Sequence, residues 1–167
     1  MFDPAAFDNI KFIIHGEVYD RDLAGLFQVH ERKDAVDLAT MSRESSIVFS
    51  LNSAPEVQAA ISIQADVKQL AGELMQLPGA VPGVTMEIIY SGSASSLTEM
   101  KMSKLEELWG KGRLMERKQI NSSLTGKAAE WHLHFNRIIT EEMMDEMAAL
   151  VGFIADTLQV IASNSIK

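Results

Sequence analysis

The chain predicts an α+β fold: an antiparallel or mixed sheet of about five to six strands, with two long helices and one shorter helix packed mainly on one face. Three observations in the 167 residues lead there. Apolar and polar residues alternate over several short stretches, as half-buried strands require. Apolar residues recur at helical spacing over 54–77 and 140–163. Gly, Pro, Ser and Asp clusters separate these stretches. Composition supports one globular domain, with 47% hydrophobic and 23% charged residues. The absence of cysteine excludes disulfides and thiolate chemistry and agrees with a reducing compartment.

The elements follow in order. Residues 10–19 alternate, with Ile10, Phe12, Ile14 and Val18 on one face and Lys11, His15 and Glu17 on the other, which predicts a first strand. Residues 20–25 carry turn chemistry. Residues 26–31 alternate again, Arg32, Lys33 and Asp34 read as a second turn, and 35–41 and 46–51 are further strand candidates. Ser53 to Glu56 fits a capping box, and Pro55 suits a first helical turn. A helix is therefore predicted over 54–77, with a stripe of Ala60, Ile63, Val67, Leu70, Leu74 and Leu77 that stops at Pro78-Gly79.

A strand is predicted over 84–90, then the loop SGSASS over 91–96, then a shorter helix opened by Ser96 and Glu99 and closed near Trp109-Gly110. Residues 110–127 give no clear pattern. Residues 130–139 alternate as a strand, with Trp131, Leu133 and Phe135 opposite His132, His134 and Asn136. Thr140 followed by Glu141 and Glu142 predicts the start of the last helix. Its stripe is Met144, Met147, Val151, Ile154, Leu158 and Ile161.

Charge and hydropathy limit the partners. The formal net charge of −8 opposes nucleic acid and anionic membranes. The opening residues are acidic and lack the apolar core of a signal peptide. The longest apolar run, 147–155, is far short of the about 20 residues a membrane span needs. A cytoplasmic, soluble protein is expected. Seven of the fifteen basic residues fall within 101–127, yet Trp109 is the lone aromatic there, so no base-stacking platform is predicted. Those charges read as a solvated face, or as one that meets the acidic half of a second subunit.

A partner chain is nonetheless expected. A helix of 24 residues spans about 36 Å and an eight-residue strand about 26 Å, so both long helices should overhang the sheet. A second copy would cover the excess, with Met144, Met147, Val151, Ile154 and Leu158 as the predicted homodimer interface.

Two patterns carry candidate chemistry. The strand–SGSASS–helix junction offers hydroxyls and helix N–H groups from Ser91, Gly92, Ser93, Ser95 and Ser96, with Lys101 nearby, a setting for a small phosphate or carboxylate. It matches neither the P-loop nor the dinucleotide fingerprint. His132 and His134 project from one side of a strand, as two metal ligands would, with Glu17 the predicted third if the strands are neighbours. An ordinary solvated sheet face explains the same histidines. No HExxH or GxSxG pattern is present, so no catalytic residue is assigned and no cofactor is expected. The function expected is that of a non-catalytic interaction or regulatory protein acting as a homodimer. A small-anion-binding protein is the alternative.

Overall fold

The computed structural model describes residues 5–76, 78–79 and 81–163. Six strands form one antiparallel sheet in the order β1-β2-β3-β4-β6-β5. They are β1 (Phe27–Asp37), β2 (Ser42–Leu51), β3 (Ala54–Ala65), β4 (Thr85–Ser93), β5 (Leu114–Ser122) and β6 (Gly126–His134). The helices are α1 (Ala5–Leu23), α2 (Val67–Leu74), α3 (Glu99–Trp109) and α4 (Met144–Ala162), the last preceded by a 3-10 turn at Glu141–Met143. The fold is α+β as expected, with two 19-residue helices. Among the described residues no helix is long and apolar enough to cross a membrane.

Two predicted elements are wrong in type. Residues 10–19 are helical, inside α1, because Phe7, Ile10, Ile14 and Val18 form one buried helical line while Phe12 points away from it. Apolar residues at 10, 12, 14 and 18 fit both periods, and Phe7 breaks the tie. Residues 54–65 are a strand. Val57, Ala59, Ile61, Ile63 and Ala65 alternate inward, and pairing with β2 and β4 outweighs the helix preference of the alanines and glutamines. Pro55 costs no bond to β4, since that pairing begins at Gln58. The helix that follows starts at Asp66, whose side chain accepts from the Gln69 N–H while the Gln69 side chain accepts from the Asp66 N–H. That capping box replaces the one predicted at Ser53. Leu77, the last residue of the predicted stripe, lies outside the described residues.

Smaller corrections concern boundaries. Arg32, Lys33 and Asp34 lie inside β1 rather than in a turn, and the turn before β2 falls at 38–41. Residues 110–127 contain β5 and its hairpin to β6. The last predicted strand ends at His134, and Ile139 makes an isolated bridge to Val84. Thr98, not Ser96, caps α3 by accepting from the Lys101 N–H. Thr140 makes no side-chain cap, and regular helix begins only at Met144.

All four helices lie on one face of the sheet. Their buried residues, among them Phe7, Ile14, Leu70, Leu105, Val151 and Ile154, join Ile47, Phe49, Ile61, Ile88, Tyr90 and Trp131 in one core. Each such side chain contributes about 1.5–3 kcal/mol by leaving water. A closed polar chain crosses that core. Trp109 Nε1 donates to the Tyr90 hydroxyl at 3.2 Å, Tyr90 lies 2.6 Å from Thr157 Oγ1, and Thr157 donates to the Ile154 carbonyl at 2.7 Å. Burial pushes the Tyr90 hydroxyl well above its ordinary pKa. Arg43 ties α1 to the strands, pairing with Asp8 at 2.9 Å and Asp34 at 2.8 Å beneath the Phe7 ring. Its hydrogen bond holds the Asp34 carboxyl down at about 2.

The seam of α4 meets this sheet rather than a second copy. Met147, Val151, Ile154 and Leu158 are at most 3% exposed and Met144 is half-buried, so the predicted interface is core. With 54–77 split into strand and short helix, the overhang argument for a dimer loses its premise.

Candidate functional site

Antiparallel pairing decides what the bare face of the sheet displays. Residues Ala129, Trp131 and Leu133 of β6 point into the core, so Glu130, His132 and His134 point out. On β4, Met86, Ile88 and Tyr90 point in, so Glu87 and Ile89 point out. The register sets Glu87 opposite His134, and Ile89 opposite His132. Two cross-strand rows result: Val48, Ala60, Ile89, His132 and Glu116 in one, and Ser46, Ser62, Glu87 and His134 in the next.

These rows bring one carboxylate and two imidazoles together. Glu87 Oε1 sits against His132 Nδ1 in a short hydrogen bond and 3.6 Å from His134 Nε2. The other ring nitrogen of His132 lies 2.8 Å from Glu130 Oε1. The two rings stack with centroids 6.1 Å apart. Walled by these neighbours, His132 is only 5% exposed although no helix among the described residues covers it. One ligating atom from each of Glu87, His132 and His134 lies within 4.8 Å of the other two. The sequence identified both histidines but took Glu17 as the third group. Glu17 belongs to α1, on the opposite side of the sheet, where it pairs with Arg21 at 2.9 Å. Glu87 was legible only as an outward position of an unregistered strand.

The serine-rich corner is arranged differently. Ser91, Gly92 and Ser93 end β4, and a side chain at Gly92 would press on the Glu56 carbonyl 2.9 Å away, so glycine allows the start of β3 to approach. Ser95, Ser96 and Lys101 do line one groove, of about 290 Å³, with Glu56 at its rim and Leu158 and Ile161 beneath. Several of its polar groups bond one another. The Ser96 N–H bonds to Ser93, the Ser93 hydroxyl to Ser96, and Lys101 Nζ to the Ser96 carbonyl at 3.0 Å. The basic stretch is likewise engaged locally, Arg117 on Glu106, Lys104 on Glu107 and Lys118 on Glu116.

One surface was missed altogether. Helix α1 also carries Phe12, Gly16, Tyr19 and Leu23 at 4-3-4 spacing, with Phe12 and Leu23 facing solvent and Tyr19 half-buried against the core under Arg32. Phe12 is 75% and Leu23 86% exposed. A groove of about 320 Å³ runs along it between Asp8, Lys11, Phe12, His15, Gly16 and Tyr19. Reading 10–19 as a strand put Phe12 in the core and hid this line. His15 beside it reaches Ser45 Oγ at 3.4 Å, and burial together with the Lys11 charge lowers its pKa to about 4.

Fold and site define an α+β protein with one helix-covered and one bare sheet face. Compared with protein-family models, with curated proteins and with solved structures, the chain finds no match.

Proposed function

We propose that this chain is a non-catalytic interaction protein that self-associates through the outward line of α1. The observation that carries the reading is the exposure of Phe12 and Leu23 on the same helix line as Gly16 and Tyr19. Exposed apolar residues aligned along one helix are what a partner helix packs against. The line suits a second copy because it holds both shapes a two-fold contact needs: bulk at Phe12 and Leu23, and between them a gap at Gly16, where an added side chain would meet nothing.

Edge-to-edge growth of the sheet is the weaker route. The edge strands carry Glu31-Arg32-Lys33-Asp34 on β1 and Glu116-Arg117-Lys118 on β5, and such charged runs discourage a further strand. One helix line is smaller than the roughly 800 Å² per partner of a stable complex, so the association is weak and concentration-dependent. A small anionic ligand at Ser95, Ser96 and Lys101 has less support, since the groups that would receive it already bond one another.

Sedimentation velocity over a range reaching high micromolar concentration tests the reading. The native chain should shift toward dimer, and Phe12→Asp or Leu23→Asp should raise the dissociation constant at least about tenfold while leaving the fold intact. A chain that stays monomeric throughout removes it.

A further inference from the structure

We propose that Glu87, His132 and His134 form a binding site for a single divalent transition-metal ion of the zinc class, with Glu130 as the group that orients His132. This stands apart from self-association, because the cluster lies on the bare sheet face and α1 on the other.

The geometry is that of a metal site built on paired strands. Two histidines at i and i+2 send their rings to the same side, and a residue directly across the ladder completes a triangle between them. Around a tetrahedral zinc ion with bonds of about 2.0–2.2 Å, ligand atoms sit roughly 3.3–3.6 Å apart. His134 Nε2 and Glu87 Oε1 are already 3.6 Å apart. All three atoms fall within 4.8 Å of one another, so only a small adjustment separates them from a common ion.

The contact from Glu130 makes this more than three polar residues in proximity. A histidine that ligates through one nitrogen characteristically donates its other N–H to a carboxylate, which fixes the tautomer and aims the lone pair. Here His132 Nε2 lies 2.8 Å from Glu130 Oε1, so its Nδ1 faces Glu87 and His134. A metal ion would sit between His132 Nδ1 and Glu87 Oε1, replacing the hydrogen bond that now joins them. Glu130 comes from the same strand two residues before His132, so one strand supplies two ligands and the group that orients the first of them.

Ligand type narrows the ion. Two imidazoles and one carboxylate suit zinc, cobalt, nickel or copper(II), whereas calcium and magnesium require more oxygen ligands than this face offers. Three protein ligands leave a fourth position directed away from the sheet, which water would fill. Zinc is then held exchangeably rather than locked as in a four-ligand structural site.

The test uses untagged full-length protein stripped of metal. Zinc is titrated in competition with a chromophoric chelator, and cobalt(II) serves as a spectroscopic probe. One equivalent should bind, and cobalt should give the intense visible bands of tetrahedral coordination. His134→Ala or Glu87→Gln should weaken binding by about a hundredfold, and Glu130→Gln by about tenfold. His30→Ala, which removes a histidine bonded to Ser50 outside the cluster, should leave binding unchanged. Because His132 is almost fully buried, the ligand variants chosen are its more exposed neighbours, and their melting without metal checks the fold. No stoichiometric binding, or binding that survives His134→Ala and Glu87→Gln, overturns the proposal.

Discussion

Two polar clusters meet strand β4 on opposite faces of the sheet, and they differ in what lies over them. On the covered face, Trp109, Tyr90, Thr157 and the Ile154 carbonyl pass hydrogen bonds in one direction until each group is satisfied. On the bare face, His132 is bonded to Glu87 on one side and Glu130 on the other, and His134 Nε2 lies 3.6 Å from Glu87. The backbone ladder is shared, so the difference lies in the layer above it. Helices α3 and α4 complete the first network and fix it in place, and among the described residues no helix covers the second. A polar group beneath helices must be paired to be tolerated, whereas the partly exposed Glu87 and His134 can exchange one partner for another.

Substitutions can break that comparison, beginning with the largest effect. Ile154→Asp places a charge in the core under α4, and should cost more than about 4 kcal/mol and abolish cooperative thermal unfolding. If α4 met solvent or a second copy instead of its own sheet, the variant would fold as a monomer. Tyr90→Phe should cost about 1–3 kcal/mol in chemical denaturation, because Trp109 Nε1 then loses its partner in a dry interior.

A pH profile adds a third test on the covered side. His15 takes up a proton near pH 4 in the folded chain and near 6.5 when unfolded. The unfolded state therefore binds more protons between those values, so stability is full above pH 6.5 and declines as the pH falls toward 4. Allowing for partial solvent screening, the loss is about 2 kcal/mol, and His15→Gln should flatten the profile in that window. The smallest effect belongs to the bare face. Without metal, Glu87→Gln and His134→Ala should stay within about 0.5 kcal/mol of the native chain by urea denaturation. A large loss there would mean the cluster is structural glue instead of an available site.

Legibility in the sequence followed the number of readings each segment allowed. The α4 stripe has no strand interpretation, and 84–90 has no good helical one, so both were assigned correctly. Residues 54–77 carried two patterns at once. Ile61 and Ile63 fit strand alternation, while Ile63, Val67 and Leu70 continue a helical stripe across Asp66. The signal that separates them is the Asp66–Gln69 capping box, which lies within the helical stripe. For the cluster, His132 and His134 were visible because one strand holds both. Glu87 was not, because its position opposite His134 is a matter of register, and β4 reaches β6 only across an intervening helix and hairpin.

By itself the sequence determined the α+β class, the helical seam of α4 and the outward histidine pair on β6. Each depends on a period within one segment, which backbone geometry imposes locally. Tertiary structure alone decided that 10–19 is helix and 54–65 strand, that α4 faces its own sheet, and that Glu87 joins the histidines. Those outcomes depend on contacts between residues far apart in the chain, where pairing and burial outweigh local preference.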